Sequence, residues 1–424
     1  MPLSIPESLL EIFQDKPQDK PQDKPQDKAQ DKAAKRGDPL WARFVIVLGA
    51  LMMLAGGGLM VIVEMAVSKL NSTITHTTMI DTESEAFAGN NIDGAINLLL
   101  VGVDVEQRAD RGGILSDTII VMHIPRTHDA AYLMSLPRDT RVQVPANLAL
   151  GTKSYTGKIN SAFGTGYRAV EGTELQKRAA GMKLLSETVY SLTHIKFNGA
   201  MLIDFDGFRG VLDALGGVDL CVDRRAESIH LARDANGSIV DVWYDDEASQ
   251  VRGIPKGGSR LVHEPGCRHF TPQLALDYSR IRKSLPNGDY DRQVHQQQLI
   301  KAILKKATTR GVLTDLGKVD KLIEAGGRTV IVDTGGVPVL DFIFTLKDIP
   351  INDLVMLRTN PGTFESDMIG GISYIHLSEA SEQLFRSVSD ETLEQFLIAH
   401  PEFLAAEPKG DQGQYPGDNQ LPPE

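Results

Sequence analysis

The chain of 424 residues is long enough for one large domain or two ordinary ones, and with 42% hydrophobic residues it can bury a core. Its formal net charge of −12 argues against general nucleic-acid binding, which requires a basic surface, so we expect no nucleic-acid partner. Arginines that gather in motifs therefore stand out against an acidic background.

Residues 1–43 form a polar, repetitive tail. The segment Gln14–Pro17 recurs twice more with proline and twice with alanine in its last position. Because the tail has almost no apolar residues to bury, we predict a disordered or extended cytoplasmic segment. A spacer is the favoured interpretation, and a docking or regulatory arm is the alternative.

Residues 44–67 are predicted to form a transmembrane helix. Phe44 to Val63 is a run of 20 residues without a charge, which matches the length that crosses a bilayer. A removable signal peptide is the alternative, but its apolar region is normally shorter and no clear cleavage site follows. Basic residues precede the run and acidic residues follow it, so the positive-inside rule places the N-terminus in the cytoplasm. We therefore expect a single-pass protein of the cell membrane, with the bilayer as a partner.

Residues 68–95 are predicted to be an extracytoplasmic tether, and residues 96–398 an α/β domain in which strands alternate with helices around a mixed sheet. The predicted strands are Ile96–Val103, Thr118–Ile124, Ala131–Leu136, Ala200–Ile203, Val218–Val222, Arg328–Val332 and Leu354–Arg358. The predicted helices are Leu184–Leu192, Phe205–Leu215, one that opens at Thr271-Pro272, Val294–Lys306, Ala380–Ser387 and Glu391–Ile398. The polar, glycine-rich residues 224–266 are interpreted as an insertion or surface loop, and residues 399–424 as a polar tail.

The chain has two cysteines, Cys221 and Cys267, both in the part predicted to lie outside the membrane. An even count in an oxidising compartment predicts one disulfide. Two unrelated buried thiols are the alternative.

Two aspartates flank predicted strands. Asp104 directly follows the first strand, and Asp117 precedes the second. Ligand sites in α/β sheets open at strand ends, so loop closure could bring both carboxylates together. Ordinary turn or capping aspartates are the alternative, which the spacing alone favours.

Arginines occur in several distant segments. Arg138 follows a strand and a proline, and its structural alternative is a surface pair with Asp139. Arg280 and Arg282 would point the same way in an extended segment but would diverge in a helix. Guanidinium groups bind phosphate oxygens with two parallel hydrogen bonds, and Mg²⁺ held by carboxylates shares the same oxygens. The combination indicates a divalent cation with a polyanionic ligand such as a pyrophosphate.

Arg292 and Gln296 lie four residues apart and share a helix face, which continues through the apolar Leu299. Polar groups at the start of an apolar face require a partner when they are buried. A bound phosphate is one such partner. A structural salt bridge to Asp289 or Asp291 is the alternative.

Taken in order, these motifs resemble the LytR-CpsA-Psr family. The matching segments are Asn97–Asp104, Ser116–Thr118, Leu136–Thr140, Lys158–Ala162, Ile203–Phe208, Leu215–Asp219, Tyr278–Arg282, Gly288–Arg292 and Gln296–Gln298. The resemblance is strongest over residues 97–306 and continues more weakly to about residue 390. It implies a helix–sheet–helix sandwich around a mixed, mostly buried central sheet, with an isoprenoid chain in a hydrophobic pocket between sheet and helices.

The resemblance also implies roles for individual residues. Asp104 and Asp117 would be the metal ligands, for Mg²⁺ or Mn²⁺. The pyrophosphate would contact Arg138, Arg280, Arg282, Arg292 and Gln296, with Lys158 and Asp289 nearby. The implied catalytic set is Asp104, Asp117, Arg138, Arg280 and Arg282. Many family members carry an arginine immediately before the Ser-Asp-Thr element, but Ile114-Leu115 stands there in this chain. Arg111, the nearest arginine, is therefore the candidate for that pyrophosphate contact.

The function implied by the resemblance is membrane-anchored transfer of a glycopolymer from a polyprenyl-pyrophosphate carrier to peptidoglycan, forming a phosphodiester. The general base is open between an aspartate near the site and a metal-bound water. Two alternatives remain: a non-catalytic envelope protein that binds polyprenyl phosphate or acts as a scaffold, and a lipid pyrophosphatase.

Overall fold

The computed structural model describes residues 75–80, 94–104, 114–245, 247–308, 330–335, 354–362 and 366–405. The repetitive tail, the predicted transmembrane helix and Arg111 therefore lie outside the described residues, as does most of the predicted tether. Within the described ranges, no helix combines the length and the apolar character needed to cross a bilayer.

The described strands are short and numerous. They are β1 (Thr75–His76), β2 (Ile96–Asp104), β3 (Leu115–Ile124), β4 (Ala131–Ser135), β5 (Arg141–Val144), β6 (Tyr155–Lys158), β7 (Gly199–Asp204), β8 (Val218–Val222), β9 (Ala226–Arg233), β10 (Ile239–Asp241), β11 (Trp243–Asp245), β12 (Gln250–Arg252), β13 (Ser259–His263), β14 (Gly266–Phe270), β15 (Val330–Asp333), β16 (Leu354–Leu357), β17 (Ser366–Ile369) and β18 (Ile372–Ile375). The described helices are α1 (Asn160–Ala169), α2 (Glu174–Thr193), α3 (Phe205–Leu215), α4 (Pro272–Arg280), α5 (Asp289–Thr308), α6 (Glu379–Ser389) and α7 (Leu393–Ala399).

A seven-stranded sheet in the order β1-β15-β7-β2-β3-β4-β16 forms the centre of this fold. The pairs β1/β15, β2/β7 and β4/β16 are parallel, and β2/β3, β3/β4 and β7/β15 are antiparallel. The predicted mixed central sheet is therefore confirmed.

Helices cover both faces of the sheet. Successive residues of a strand point to opposite faces, so a strand that is apolar throughout presents apolar side chains to both helical layers. Leu99 and Val101 of β2 pack on one face in a cluster that includes residues of α1, α2, α6 and α7. Leu100 packs on the other face, where Ile300 and Leu304 of α5 cover the sheet. These three layers match the expected helix–sheet–helix arrangement.

A further apolar cluster joins α3, α4 and α5 to the antiparallel pair β8/β14. The predicted helix over Phe205–Leu215 has the predicted bounds, and Gly216 ends it in the left-handed conformation at φ +68°. Cys221 and Cys267 are direct partners in the β8/β14 pair and form a disulfide. The cluster therefore packs α4 and the second half of α5 against the disulfide-linked pair β8/β14.

The interpretation of residues 224–266 as a surface loop was wrong. Strands β9, β10 and β13 form a three-stranded sheet, and β11 and β12 form a hairpin beside it. Only a few side chains of this region are buried, among them Ala226, Leu231 and Leu261, so the apolar alternation of a half-buried sheet is faint in the sequence. The β5/β6 and β17/β18 hairpins and α1 were also not predicted, for the same reason of short length and partial exposure.

Candidate functional site

The charged site lies at one edge of the central sheet. Because β2, β4, β7 and β16 run in the same direction and β3 runs opposite, the carboxyl ends of four strands and the amino end of β3 meet there. The last residue of α4 and the first residue of α5 lie in the same stretch of chain, Arg280 to Asp289. This is the edge at which α/β sheets bind ligands.

Asp117 occupies a β-bulge in β3. Gly102 pairs with Thr118 and Val103 with Ser116, so Asp117 is the extra residue between two consecutive partners. A bulge re-aims the side chain that it carries. The carboxylate of Asp117 accepts a hydrogen bond from Arg138 Nη1 at 2.8 Å.

Arg138 is held by carboxylates on several sides, not only by Asp139 next to it in the chain. Its Nε lies 3.8 Å from Asp289 Oδ1 and 3.9 Å from Asp139 Oδ2, and this buried nitrogen makes no hydrogen bond among the described residues. Burial opposes the charge of the Arg138 guanidinium, but Asp117, Asp289 and Asp139 outweigh this effect and raise its pKa. The surface pair proposed as the structural alternative is therefore a minor contact.

Asp289 and Arg292 form a buried ion pair at the start of α5. Asp289 Oδ1 accepts from Arg292 Nε at 3.0 Å and from Nη2 at 2.8 Å, and Oδ2 accepts from Gln293 Nε2 at 3.1 Å. Burial works against the charged carboxyl, but Arg292 and Arg138 hold the pKa of Asp289 below its ordinary value. Arg292 Nη2 also donates to the carbonyl oxygen of Asp117 at 3.0 Å. The salt bridge to Asp289, which the sequence offered as the alternative to a bound phosphate, is present, and the hydrogen bond to the Asp117 carbonyl connects α5 to the bulge of β3.

Arg282 belongs to the same cluster but has no carboxylate partner there. Burial lowers the pKa of its guanidinium, and the positive charges of Arg138 and Arg292 lower it further. Within the described part of the chain, no carboxylate forms an ion pair with Arg282. A half-buried cation beside two other cations is the arrangement that a bound anion stabilises.

Arg280 and Arg282 lie on the two sides of a helix end, so neither the extended nor the helical interpretation describes them. Arg280 is the last residue of α4, and Ile281 is extended at φ −62° and ψ 132°. The guanidinium carbon of Arg280 lies 4.4 Å from the ring centroid of Phe205, the first residue of α3. The sequence did not predict a contact between Phe205 and Arg280. The sequence signal at Phe205 is its place directly after Asp204, which caps α3.

Lys158 reaches the cluster through Asp139, a residue that the sequence suggested only as a surface partner. Lys158 is the last residue of β6, and Asp139 lies in the segment that follows β4. Lys158 Nζ and Asp139 Oδ1 are 2.8 Å apart. The side chain of Asp139 therefore links the ammonium group of Lys158 to the guanidinium of Arg138. The backbone carbonyl oxygen of Asp139 accepts a hydrogen bond from Ile375 N at 2.9 Å, which places β18 beside the site.

Gln296 lies one helical turn beyond Arg292 and is half-buried. The face shared by Arg292 and Gln296 continues through Ile300 and Leu304, which pack on the central sheet. Leu299, which the sequence predicted to face the core, is fully buried in the cluster with α3 and α4. Gln296 is thus positioned between the charged edge and the apolar layer beneath α5.

Asp104 and Asp117 come from neighbouring strands at the same edge. Asp104 is buried, ends β2 and pairs in register with Leu115, two residues before Asp117. Among the described residues, no group of three or more His, Cys, Asp or Glu side chains is arranged to hold a metal ion. Two carboxylates suit Mg²⁺ or Mn²⁺, which take one or two carboxylates and complete their shells with water and phosphate oxygens.

The edge of the sheet therefore combines buried and half-buried arginines and a lysine with the carboxylates of Asp104 and Asp117 on adjacent strands. Such an arrangement can bind a pyrophosphate by charge-assisted hydrogen bonds and stabilise the negative charge that develops when a phosphate leaves.

The chain is similar in sequence to proteins of known name. The chain is 27% identical over 267 residues to the Bacillus subtilis (strain 168) polyisoprenyl-teichoic acid–peptidoglycan teichoic acid transferase TagV, covering 62% of this chain and 54% of that protein. It is 25% identical over 328 residues to the cell wall biosynthesis protein LcpA of Corynebacterium glutamicum, covering 70% of this chain and 56% of LcpA. The chain thus spans about half the length of these two relatives.

The fold is also similar to a solved structure. The crystal structure of protein gbs0355 from Streptococcus agalactiae superposes with a TM-score of 0.51 at 21% identity, covering 74% of this chain and 91% of that chain. A family model described as LytR_cpsA_psr matches residues 61–388, which include the whole charged site. The chain therefore belongs to the LytR-CpsA-Psr family.

Proposed function

We propose that this protein is a membrane-anchored, Mg²⁺-dependent transferase that moves a glycopolymer from a polyprenyl-pyrophosphate carrier to peptidoglycan. The names of the relatives TagV and LcpA support the substrate class, since one is a teichoic acid–peptidoglycan transferase and the other a cell wall biosynthesis protein. The observation that carries the proposal is the group of Arg138, Arg282 and Arg292 at the edge of the sheet. Their mutual proximity is stable only with a polyanion or with carboxylates between them.

The reaction is a phosphoryl transfer. A sugar hydroxyl of peptidoglycan attacks the phosphorus that carries the glycopolymer, and a new P–O bond forms. The bond from this phosphorus to the oxygen of the carrier phosphate breaks, and polyprenyl phosphate leaves with the electron pair. The hydroxyl proton passes to a base, and the product is a phosphodiester between glycopolymer and peptidoglycan.

The arginines act on the charge that moves in this step. Arg292 donates to Asp289 Oδ1 through Nε and Nη2, while Arg138 donates to Asp117 and its Nε lies 3.8 Å from the same oxygen of Asp289. Arg282 has no carboxylate partner among the described residues, so it gains most from the negative charge of the leaving phosphate. Preorganised donors of this kind lower the barrier because they need no rearrangement during the reaction.

Asp104 and Asp117 are the residues that would hold the metal ion. When bound, Mg²⁺ supplies Lewis-acid stabilisation to phosphate oxygens. Asp117 also receives the hydrogen bond of Arg138 at 2.8 Å, so its position depends on the bulge of β3 and on the arginine together.

The membrane part of the proposal rests on the sequence. The uncharged run Phe44 to Val63 has the length of a transmembrane helix, and the charge asymmetry around it predicts an external domain. A lipid-linked donor requires an enzyme that works at the membrane surface, which agrees with such an anchor.

Reconstitution of the full-length protein tests the proposal. Purified protein is incubated with a polyprenyl-pyrophosphate-linked glycan, peptidoglycan and Mg²⁺, and the glycan attached to peptidoglycan is measured. Asp104→Asn and Asp117→Asn should each remove the Mg²⁺-dependent activity, whereas Asp213→Asn, an exposed aspartate of α3, should not. Release of free phosphates without attachment would indicate a pyrophosphatase, and binding without turnover would indicate a scaffold.

A further inference from the structure

The β17/β18 hairpin exposes its apolar tip to solvent. Met368 is 69% exposed, Ile369 42% and Ile372 48%. The strands are joined by Gly370 and Gly371 at φ +60° and +81°, a backbone conformation that favours glycine and makes a tight turn. Contiguous exposed apolar groups of this kind mark a contact with a partner or a membrane.

The apolar side chains of the tip lie on both faces of the hairpin. Ile369 pairs with Ile372, so these two side chains share one face. Met368 pairs with Ser373 and lies on the opposite face, since neighbouring strand residues alternate. A protein surface would cover one face of the hairpin. A medium that surrounds the tip covers both, and a lipid layer is such a medium.

Below Met368 and Ser373, the next pair along the hairpin is Asp367 and Tyr374. Asp367 has a 71% exposed side chain and lies 3.4 Å from His376. Tyr374 is the cross-strand partner of Asp367. The guanidinium carbon of Arg141 lies 5.9 Å from the centroid of the Tyr374 ring. Tyrosine and arginine are residues that favour the membrane–water interface. The apolar tip comprises Met368 and Ile369 of β17 but only Ile372 of β18, where Ser373 stands opposite Met368. Two residues of a strand span about 7 Å at the usual rise, which fits the ~5–10 Å depth of interfacial insertion.

The base of the hairpin is attached to the charged site. Ile375 N donates to the carbonyl oxygen of Asp139 at 2.9 Å, and Ile375 forms a parallel bridge with Thr140. Asp139 is the carboxylate that pairs with Lys158 and lies beside Arg138. The exposed tip therefore projects from a strand that is hydrogen-bonded to the site itself.

We propose that the β17/β18 hairpin inserts its tip into the surface of the lipid bilayer and so holds the charged site against the membrane. The inference rests on the proposed function in one respect, because a lipid-linked donor gives the enzyme a reason to work there. It adds a second membrane contact, close to the site, to the predicted anchor at the other end of the chain.

A fluorescent label tests the insertion directly. The two cysteines of the chain form a disulfide, so Ile369→Cys supplies a single reactive thiol in the full-length protein. Ile398→Cys is the matched control, because Ile398 is 82% exposed on α7. Both proteins are labelled with an environment-sensitive fluorophore and reconstituted in phosphatidylglycerol–phosphatidylethanolamine vesicles that contain nitroxide-labelled acyl chains.

We expect blue-shifted, nitroxide-quenched emission at position 369 and water-like, unquenched emission at position 398. Water-like emission at both positions would overturn the proposal. A blue shift at position 369 without nitroxide quenching would also overturn it, because the tip would then be covered by protein.

Transfer assays separate this inference from the proposed function. Replacing Ile369 and Ile372 by Asp should reduce transfer from a long-chain donor in vesicles by roughly tenfold for each isoleucine whose burial is lost. Transfer from a short-chain, water-soluble donor should be unchanged, and Ile398→Asp should behave as the wild type with both donors. Equal rates for all proteins with the vesicle donor would contradict insertion. Absence of turnover in the wild type would contradict the proposed function, and the label at position 369 would still decide the insertion.

Discussion

Replacing Asp289 by Asn tests whether the charged cluster is built to receive an anion. The substitution keeps the shape of the side chain and removes its charge, which leaves Arg292 and Arg138 with less countercharge. The side chains of Asp289 and Arg292 are 6% and 8% exposed, so their ion pair is buried. Removing one partner of a buried pair costs about 3–5 kcal/mol.

The lower end of this range applies, because Arg292 retains a hydrogen bond to the carbonyl oxygen of Asp117 at 3.0 Å. We expect a loss of about 3 kcal/mol in the free energy of unfolding, measured by urea titration with an unchanged m-value. Inorganic pyrophosphate should then stabilise Asp289→Asn more than it stabilises the wild type. The reason is that the ligand replaces the missing negative charge and no longer competes with Asp289 for the arginines.

Asp291→Asn provides the control. Asp291 lies in the same helical turn but pairs with Arg224 at 3.4 Å and accepts from Asn287, away from the arginine cluster. This variant should also lose stability, but pyrophosphate should stabilise it no more than the wild type. Equal stabilisation of the Asp289 and Asp291 variants by pyrophosphate would refute the assignment of the cluster as an anion site.

Three further outcomes are expected. Arg138→Lys keeps the charge but loses the two-pronged donor, so transfer should fall by about tenfold or more while the exposed control Arg126→Lys stays at the wild-type rate in the reconstituted assay. Replacing Cys221 and Cys267 by Ser opens a loop of sequence separation 46, which should cost about 4 kcal/mol in urea unfolding; an unchanged midpoint would contradict this value. Burial lowers the pKa of His123 from 6.5 to about 4, so its stabilising effect is complete above pH 6.5 and decreases as the pH falls towards 4, by about 3 kcal/mol in total; unfolding of His123→Gln should depend less steeply on pH in this window.

Local rules were sufficient for the helices that position the site. Thr271 caps α4 by accepting from Leu274 N, with Pro272 at the first helical position, as the sequence predicted. Gly216 likewise ends α3 where a left-handed residue was expected. These features depend on three or four neighbouring residues, so the sequence contains all the information that determines them.

The partners of the charged residues could not be predicted in the same way. The pairing of Arg138 with Asp117, in addition to its sequence neighbour Asp139, depends on the register of β3 against β2. Asp117 is the bulged residue that sets this register. A shift of one residue moves a side chain to the other face of a sheet. No local signal in Ser116-Asp117-Thr118 marks the bulge, and only the order of family motifs indicated Asp117 as a site residue.

The distribution of carboxylates explains how such a site can fold before any ligand binds. Asp117, Asp139 and Asp289 neutralise Arg138, Lys158 and Arg292, so these cations tolerate burial at the edge of the sheet. In the proposed reaction, a pyrophosphate would compete with these carboxylates, which would reduce its affinity in the ground state. Arg282 differs, because no described carboxylate forms an ion pair with it, and burial together with the charges of Arg138 and Arg292 lowers its pKa although Asp289 and Asp139 oppose this. In the proposed reaction, Arg282 would gain from new negative charge, which would favour charge that develops on the leaving phosphate over charge already present in the substrate.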